Sequence, residues 1–400
     1  VHEVARRVEL GAKGMITSGN LFEELGFAYF GPVDGHDVEA LTGVLGNIKN
    51  FKGPRLLHVI TEKGKGFERA GEDATSLHAV SPFDVKTGKK IENSKNKKDK
   101  SYTDVFADWI NTHAKKDEKL HAITPAMCEG SGLSGFRDDF PERYHDVGIA
   151  EQHALTLAAG LACEDKKPVV VVYSTFLQRA YDQFVHDIAL QNLDVMIAVD
   201  RAGIVGPDGA THAGSFDLSF LRCVPNVVIA APADKKESEK MLDVLYKYRG
   251  TTVVRYPRGG GAEQLENNNT IVKIGKGQVL NKGKKVAILA YGAMVERCVD
   301  LAKELDITLV NMRFVKPLDE KLIDKIVKNH DILVTVEDNS VAGGAGSAVG
   351  EYVLVKEYNV KVKMLGLPDE FTIHGTRDEV LDSVGLSEKK IKKNIKKFLN

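Results

Sequence analysis

A carboxylate at the head of an apolar helix is the group in this chain best placed to do chemistry. Glu151 lies in the run Tyr144-His145-Asp146-Val147-Gly148-Ile149-Ala150-Glu151-Gln152-His153-Ala154, which continues through Leu155, Leu157, Ala158, Ala159, Leu161 and Ala162. So little of this pattern is polar that the helix is unsuited to water, and its carboxylate is expected to be carried inward. A buried carboxylate needs a partner or a task. The competing reading leaves Glu151 as a simple complement to the positive end of the helix. Other candidates stand where strand-like runs end. Arg201 follows Val195 to Asp200, and Arg258 follows Thr252 to Tyr256. Each offers a planar guanidinium fork suited to phosphate oxygens, although an arginine in such a place commonly stays solvated. Asp208 and His212 lie in the Gly-rich run Arg201 to Gly214, where backbone freedom lets side chains enter a cleft. His212 is a candidate to give or take a proton near neutral pH.

Positioning these groups requires a sheet. From Ser101 to about Ala262, helix-like segments (Asp104 to Ala114, the Glu151 segment, Leu177 to Leu190, Lys235 to Lys247) alternate with short apolar runs. The runs are His121 to Met127, Pro168 to Tyr173, Val195 to Asp200, Val227 to Ala231 and Thr252 to Tyr256. That alternation predicts a parallel sheet with helices on both faces. Residues 270–400 repeat the theme, with strands at Val286 to Leu289, Thr308 to Val310, Ile332 to Val336 and Val360 to Leu365. Ligands of open parallel sheets bind beyond the carboxyl ends of the strands. Tyr173 with Ser174 to Gln183, Arg201 to Gly214, and Arg258 all fall on that rim. Residues 1–90 hold one helix-like stretch, Val38 to Ile48, and one apolar strand, Arg55 to Thr61, too few elements for a complete domain. Residues 91–100 are too charged to pack and read as a linker. The fold class expected is α/β, with a partial N-terminal domain at 1–90, the linker, and α/β domains at 101–262 and 270–400.

The composition, 43% hydrophobic and 28% charged with a formal net charge of -1, implies no nucleic-acid partner. A length of 400 residues suits roughly two to three domains. Cys128, Cys163, Cys223 and Cys298 show neither metal spacing nor a Cys-x-x-Cys motif and read as reduced thiols. With no membrane-length apolar stretch and no signal peptide, a soluble cytoplasmic protein is expected. The chain starts at Val1 inside a charged helical pattern, from which a missing N-terminal portion is expected.

Five strings carry a family resemblance: Gly31-Pro32-Val33-Asp34-Gly35-His36-Asp37, Asp146 to His153, Ser174 to Gln183, Arg201 to Gly214, and Pro257 to Gly261. Together they closely resemble the 1-deoxy-D-xylulose 5-phosphate synthases, a thiamine diphosphate-dependent family of the transketolase superfamily, over essentially the whole chain. The resemblance implies a pyrimidine-binding domain at 101–262, a transketolase C-terminal domain at 270–400, and a piece of a diphosphate-binding domain at 1–90. It implies thiamine diphosphate as cofactor, with Glu151 hydrogen-bonded to N1′ of the aminopyrimidine so that the imino tautomer forms. Phe176 would face that ring, a core phenylalanine being the other reading, and Ile149 and Lys63 would also contact the cofactor. The implied substrates are pyruvate and D-glyceraldehyde 3-phosphate, with loss of carbon dioxide. Tyr173, Arg201, Asp208, His212, Arg258, Arg179 and His78 would bind them, Glu151 and His212 being catalytic. Arg179 equally suits a structural ion pair.

One departure from the family pattern matters. Its Gly-Asp-Gly and downstream Asn, which hold the diphosphate and Mg2+, have no counterpart here. Gly206-Pro207-Asp208-Gly209 lies in the wrong domain and carries an intervening proline. No metal ligand is assigned, and the Mg2+ ligands are expected in the missing N-terminal portion. Asp34 and His36 read as turn residues, His374 as architectural, and Gly343-Gly344-Ala345-Gly346 as tight helix packing rather than an anion cradle. The resemblance further implies a homodimer. Two rival readings are a C-terminal or beta subunit of a split transketolase or oxo-acid dehydrogenase, and a dimerising remnant without activity. The chain by itself is expected to be inactive. An assay of the purified chain with pyruvate, glyceraldehyde 3-phosphate, thiamine diphosphate and magnesium checks this, and product formed without a second polypeptide overturns it.

Overall fold

Runs of valine and isoleucine that are apolar at every position must be covered on both faces, which dictates a sheet between helix layers. The computed structural model describes residues 20–67, 70, 83–87, 91 and 100–399. Contacts divide the chain into two units, residues 1–97 and 98–400. In the first, β1 (Ala28–Asp34) and β2 (Arg55–Ile60) pair in parallel, joined through the helix Val38–Ile48, whose start is capped by the Asp37 carboxylate accepting the Ala40 N–H at 2.9 Å. Asp34 and His36 are turn residues: Asp34 Oδ1 accepts the His36 N–H at 2.8 Å, and His36 Nε2 accepts the Glu62 N–H at 2.7 Å.

The second unit contains two sheets. The strands in chain order are β3 (Leu120–Thr124), β4 (Tyr144–Asp146), β5 (Lys167–Tyr173), β6 (Met196–Asp200), β7 (Val227–Ala230) and β8 (Thr251–Arg255). They continue with β9 (Gln278–Asn281), β10 (Lys285–Ala290), β11 (Thr308–Asn311), β12 (Phe314–Lys316), β13 (His330–Ser340) and β14 (Lys361–Leu367). One sheet has the order β12-β7-β8-β6-β5-β3-β4 and the other β14-β13-β10-β11-β9. Each is parallel except for an antiparallel edge strand, β12 against β7 and β9 against β11.

Alternate residues of β5 supply opposite faces. Val170 and Val172 join Ala154, Leu155, Ala158 and Ala159 of the helix Glu151–Cys163. Val169 and Val171 join Phe106, Trp109 and Ile110 of the helix Tyr102–Ala114, with Met241, Leu242 and Leu245 of the helix Lys235–Lys247. The first of these cores runs on into the second sheet through Ala287, Leu289, Val310 and Leu333, so residues 98–400 form one body. Among the described residues no helix is long and apolar enough to cross a membrane.

Five elements depart from the sequence pattern. Strands β4, β9 and β12 are too short to show periodicity, and β12 adds a residue run from the C-terminal half to the first sheet. The helix predicted over Leu177 to Leu190 is broken into short helical pieces, ending in a π-helical run at Phe184–Ala189. His121 to Met127 pairs only as far as Thr124.

Buried ions tie the two sheets together. Arg255, the last residue of β8, donates from Nε to Asp217 at 2.9 Å and from Nη1 to Asp338 of β13 at 2.7 Å, and all three are buried. Arg313 likewise reaches Glu237 at 2.6 Å. Removing one partner of such a cluster strands a charge in low dielectric. Arg255→Ala is expected to destabilise the fold by about 3–5 kcal/mol, the cost of an uncompensated buried ion. Denaturant unfolding of the two proteins at neutral pH checks this, and a change near zero would mean that the carboxylates find water instead.

Candidate functional site

The carboxyl ends of β4, β5, β6 and β8 converge on one rim. Beyond β4, Asp146 Oδ1 accepts the N–H groups of Ala126 and Gly148 at 2.9 and 3.0 Å, fastening a turn ahead of the helix Glu151–Cys163. The turn leaves Ile149 exposed (81%) while Glu151, two residues on, is buried (3%). Arg179 Nη1 donates to Glu151 Oε1 at 2.6 Å, so the buried carboxylate has a charged partner. The same guanidinium lies 4.9 Å from the Phe176 ring centre.

From Phe176 the contacts continue without a break. Its ring stacks on Tyr173 at 5.8 Å between centres and meets His212 edge-on at 5.5 Å. Arg201 lies 4.0 Å above the Tyr173 ring. Asp208 stands between two arginines, 2.9 Å from Arg201 Nη1 and 3.3 Å from Arg258 Nη1. The loop carrying His212 is pinned by the Thr175 hydroxyl, which donates to the Thr211 carbonyl at 3.0 Å. Sequence-predicted residues from four segments thus form one line, with a buried carboxylate at one end and an Arg-Asp-Arg cluster at the other. Burial pushes the Tyr173 hydroxyl up to about 12 against the pull of Arg201, leaving it a neutral donor at physiological pH.

Lys63 is exposed in a turn of the first unit, and His78 lies outside the described residues. Arg179, read as either a substrate ligand or an ion-pair partner, is an ion-pair partner of Glu151 here. Phe176 is partly buried, packing against the core while it lies at the rim. Asp208 is held by two guanidinium groups, which is the wrong company for a cation ligand, and no group of three or more metal-binding side chains occurs among the described residues. Gly343-Gly344-Ala345-Gly346 opens a helix whose Ala345 and Gly346 N–H groups both donate to Glu337 at 2.7 Å, so an internal carboxylate takes the place of any anion. Burial pushes Glu337 up to about 7. His374 donates from Nε2 to the Pro207 carbonyl at 3.1 Å, bracing the loop that holds Asp208.

A buried carboxylate linked through Arg179 to a partly exposed aromatic ring, with an exposed isoleucine two residues away, suits a flat, hydrogen-bonding heteroaromatic ring such as an aminopyrimidine. The two arginines suit a phosphate. Sequence reasoning missed Asp200, Thr103 and Gly130. Asp200 is fully buried at the end of β6, with burial pushing its carboxyl up to about 7 against the Thr103 hydroxyl and the Arg201 and Arg258 charges. Its signal was an acidic residue closing the apolar run Val195 to Val199. Gly130 left no signal, because its need is set by a distant side chain.

Residues 98–262 match the family described as transketolase, pyrimidine binding domain, residues 275–391 match transketolase, C-terminal domain, and residues 1–61 match the N-terminal family of 1-deoxy-D-xylulose-5-phosphate synthase. A 1-deoxy-D-xylulose-5-phosphate synthase of Alkalilimnicola ehrlichii is 54% identical over 404 residues, covering 100% of this chain and 64% of that protein. The synthase of Thioalkalivibrio sulfidiphilus is 53% identical, covering 100% and 62%. The chain therefore spans under two thirds of the length of these curated relatives. Among solved structures, a split gene transketolase described as an inactive beta4 tetramer superposes with a TM-score of 0.67 at 28% identity, covering 74% of this chain and 97% of that one. A transketolase from Leishmania mexicana shares the fold, with a TM-score of 0.63 at 19% identity over 75% of this chain and 45% of its own.

A Cβ at Gly130 would stand 1.9 Å from the Tyr173 hydroxyl oxygen. Gly130→Ala is expected to cost about 1–3 kcal/mol of stability through overpacking. Tyr173→Phe in the same chain should recover most of that loss by making room. A double-mutant cycle of denaturant midpoints tests the contact, and strict additivity would refute it.

Proposed function

We propose, from the premise that this chain belongs to the 1-deoxy-D-xylulose-5-phosphate synthase family, that its rim residues serve the decarboxylating transfer of a two-carbon unit from pyruvate to the aldehyde of D-glyceraldehyde 3-phosphate. The observation that carries the reading is the unbroken line from the buried Glu151 through Phe176 and Tyr173 to Arg201, Asp208 and Arg258. Thiamine diphosphate, when bound, supplies the carbanion chemistry.

The chain's own groups then have separate tasks. Glu151 holds a carboxylate in low dielectric, where it can keep a strong hydrogen bond to a ring nitrogen, and Arg179 yields that position or shares it. Phe176 and Ile149 give the ring apolar contact. Arg201 and Arg258 take the acceptor phosphate in exchange for part of their pairing with Asp208. His212, beside Phe176, hands a proton to the acceptor carbonyl oxygen as the new bond forms. The assignment of Lys63 and His78 rests on the motif match alone. Magnesium belongs to the proposal through the family, with ligands outside the described residues. A cytoplasmic homodimer belongs to it in the same way.

A second reading is supported by the split gene transketolase, nearly all of which this chain covers: the chain works beside a separate polypeptide that carries the diphosphate-binding half. The assay therefore uses the chain supplied with a diphosphate-binding region, first in one polypeptide and then as two. Deoxyxylulose phosphate formation is expected, with Glu151→Gln lowering kcat by about 10²–10⁴, the range of a lost acid–base group. Unchanged turnover in Glu151→Gln would overturn the assignment of the site. Activity from two polypeptides but not from one favours the second reading.

A further inference from the structure

Asp200 has no part in the chemistry above, yet it is the most enclosed charge at the rim. Its carboxylate is fully buried beneath Arg201. The pairing between β6 and β8 explains why it is needed. The Tyr256 N–H donates to the Val199 carbonyl at 3.1 Å, and the Ala202 N–H donates to the Tyr256 carbonyl at 3.0 Å. Arg201 is passed over, and its backbone turns into the left-handed region at φ +57°, a conformation that side chains disfavour. The Arg201 N–H is not left bare: Asp200 Oδ1 accepts it at 2.6 Å. Asp200 Oδ2 accepts the Thr103 hydroxyl at 2.9 Å, which anchors the carboxylate to the helix Tyr102–Ala114. Just beyond, Gly203 and Gly214 exchange backbone hydrogen bonds at 2.9 and 2.8 Å and close the loop.

We propose that Asp200 is a positioning residue which secures the left-handed turn at Arg201, so that the guanidinium is held above Tyr173 and beside Asp208, and that binding of a phosphate by Arg201 and Arg258 is coupled to proton uptake by Asp200. The proposal rests on the reading of these arginines as the acceptor-phosphate site. The coupling follows from what surrounds the carboxylate. Thr103 faces it from its helix, Tyr173 from β5, Arg201 from the turn, and Tyr256 and Arg258 from the end of β8. The Tyr256 hydroxyl is buried and has no hydrogen-bond partner, so it brings no compensating bond. Burial favours the neutral acid, whereas Arg201, Arg258 and the Thr103 hydroxyl favour the anion. A dianion seated on the two guanidinium groups offsets their field and tips the balance towards protonation.

Calorimetric titration of the full chain with sulfate, a dianion that does not itself titrate near neutrality, reads both parts. At pH 7, buffers of different ionisation enthalpy report protons exchanged, and glyceraldehyde 3-phosphate is run beside sulfate. The expected wild-type result is net uptake of a fraction of a proton per sulfate bound. Asp200→Asn keeps an oxygen for the Arg201 N–H but cannot titrate, so uptake should vanish while affinity stays within about threefold. Asp200→Ala frees the turn and should weaken binding about tenfold, the effect of one lost charge-assisted hydrogen bond. Circular dichroism establishes that this variant is folded. Should it not fold, Thr103→Val removes only the anchor and should weaken binding about threefold. Binding lost in Arg201→Ala but unaltered in the Asp200 variants, with wild-type proton uptake, overturns this inference alone. Failure of the wild-type chain to bind either anion, or binding untouched by Arg201→Ala, overturns the phosphate reading and this inference with it.

Discussion

The ion cluster of Arg255 with Asp217 and Asp338 is the constraint on which the rest of residues 98–400 depends. Arg255 ends a central strand of the first sheet, Asp217 follows the loop that carries Asp208 and His212, and Asp338 belongs to β13 of the second sheet. All three are removed from water, so none can shift without exposing a charge to low dielectric. The loop between them inherits that rigidity. Gly203 has φ +73° and packs so closely that a Cβ would stand 2.1 Å from the Asp338 carboxylate. Ser340 donates its N–H to the Ser215 carbonyl at 2.7 Å, and His374 braces Pro207. The C-terminal half therefore holds the site loop although it contributes none of the side chains along the line.

Along that line, charge and aromatic surface alternate. Glu151 and Arg179 form one pair, and Asp208 is shared by Arg201 and Arg258, with Phe176 and Tyr173 between them. Phe176 and Tyr173 offer π faces to Arg179 and Arg201, while the carboxylates keep the guanidinium planes fixed. Two guanidinium groups share the single carboxylate of Asp208, an arrangement that suits an anionic ligand. The pair at Glu151 is balanced, which suits a polar neutral ring. The two ends of the line thus differ in the charge they suit.

Much of this was legible in the sequence. Apolar runs such as Pro168 to Tyr173 showed parallel strands because only burial on both faces suits them, and the strands lie there with modest shifts of boundary. The helix at Glu151 was visible because its polar face is too narrow for water. Short edge strands were not visible. Three residues such as Tyr144–Asp146 or Phe314–Lys316 have no period of their own, and they become strands only because a neighbouring strand offers unpaired N–H and C=O groups.

What the sequence by itself determined was the set of elements and the chemical types at their ends: a carboxylate on an apolar helix, arginines after strands, a histidine in a Gly-rich loop. Local periodicity and backbone preference decide these, and both act over a few residues. Which of these groups touch was decided by the tertiary structure. That Arg179 pairs with Glu151, that Glu337 fills the start of the helix Ala345–Val355, and that Asp200 supports the turn at Arg201 depend on residues 28, 8 and 1 positions apart. Even the nearest of these is anchored by the hydroxyl of Thr103, 97 positions away. A carboxylate takes its role from the donors and the dielectric around it, and those are assembled only when the sheets close.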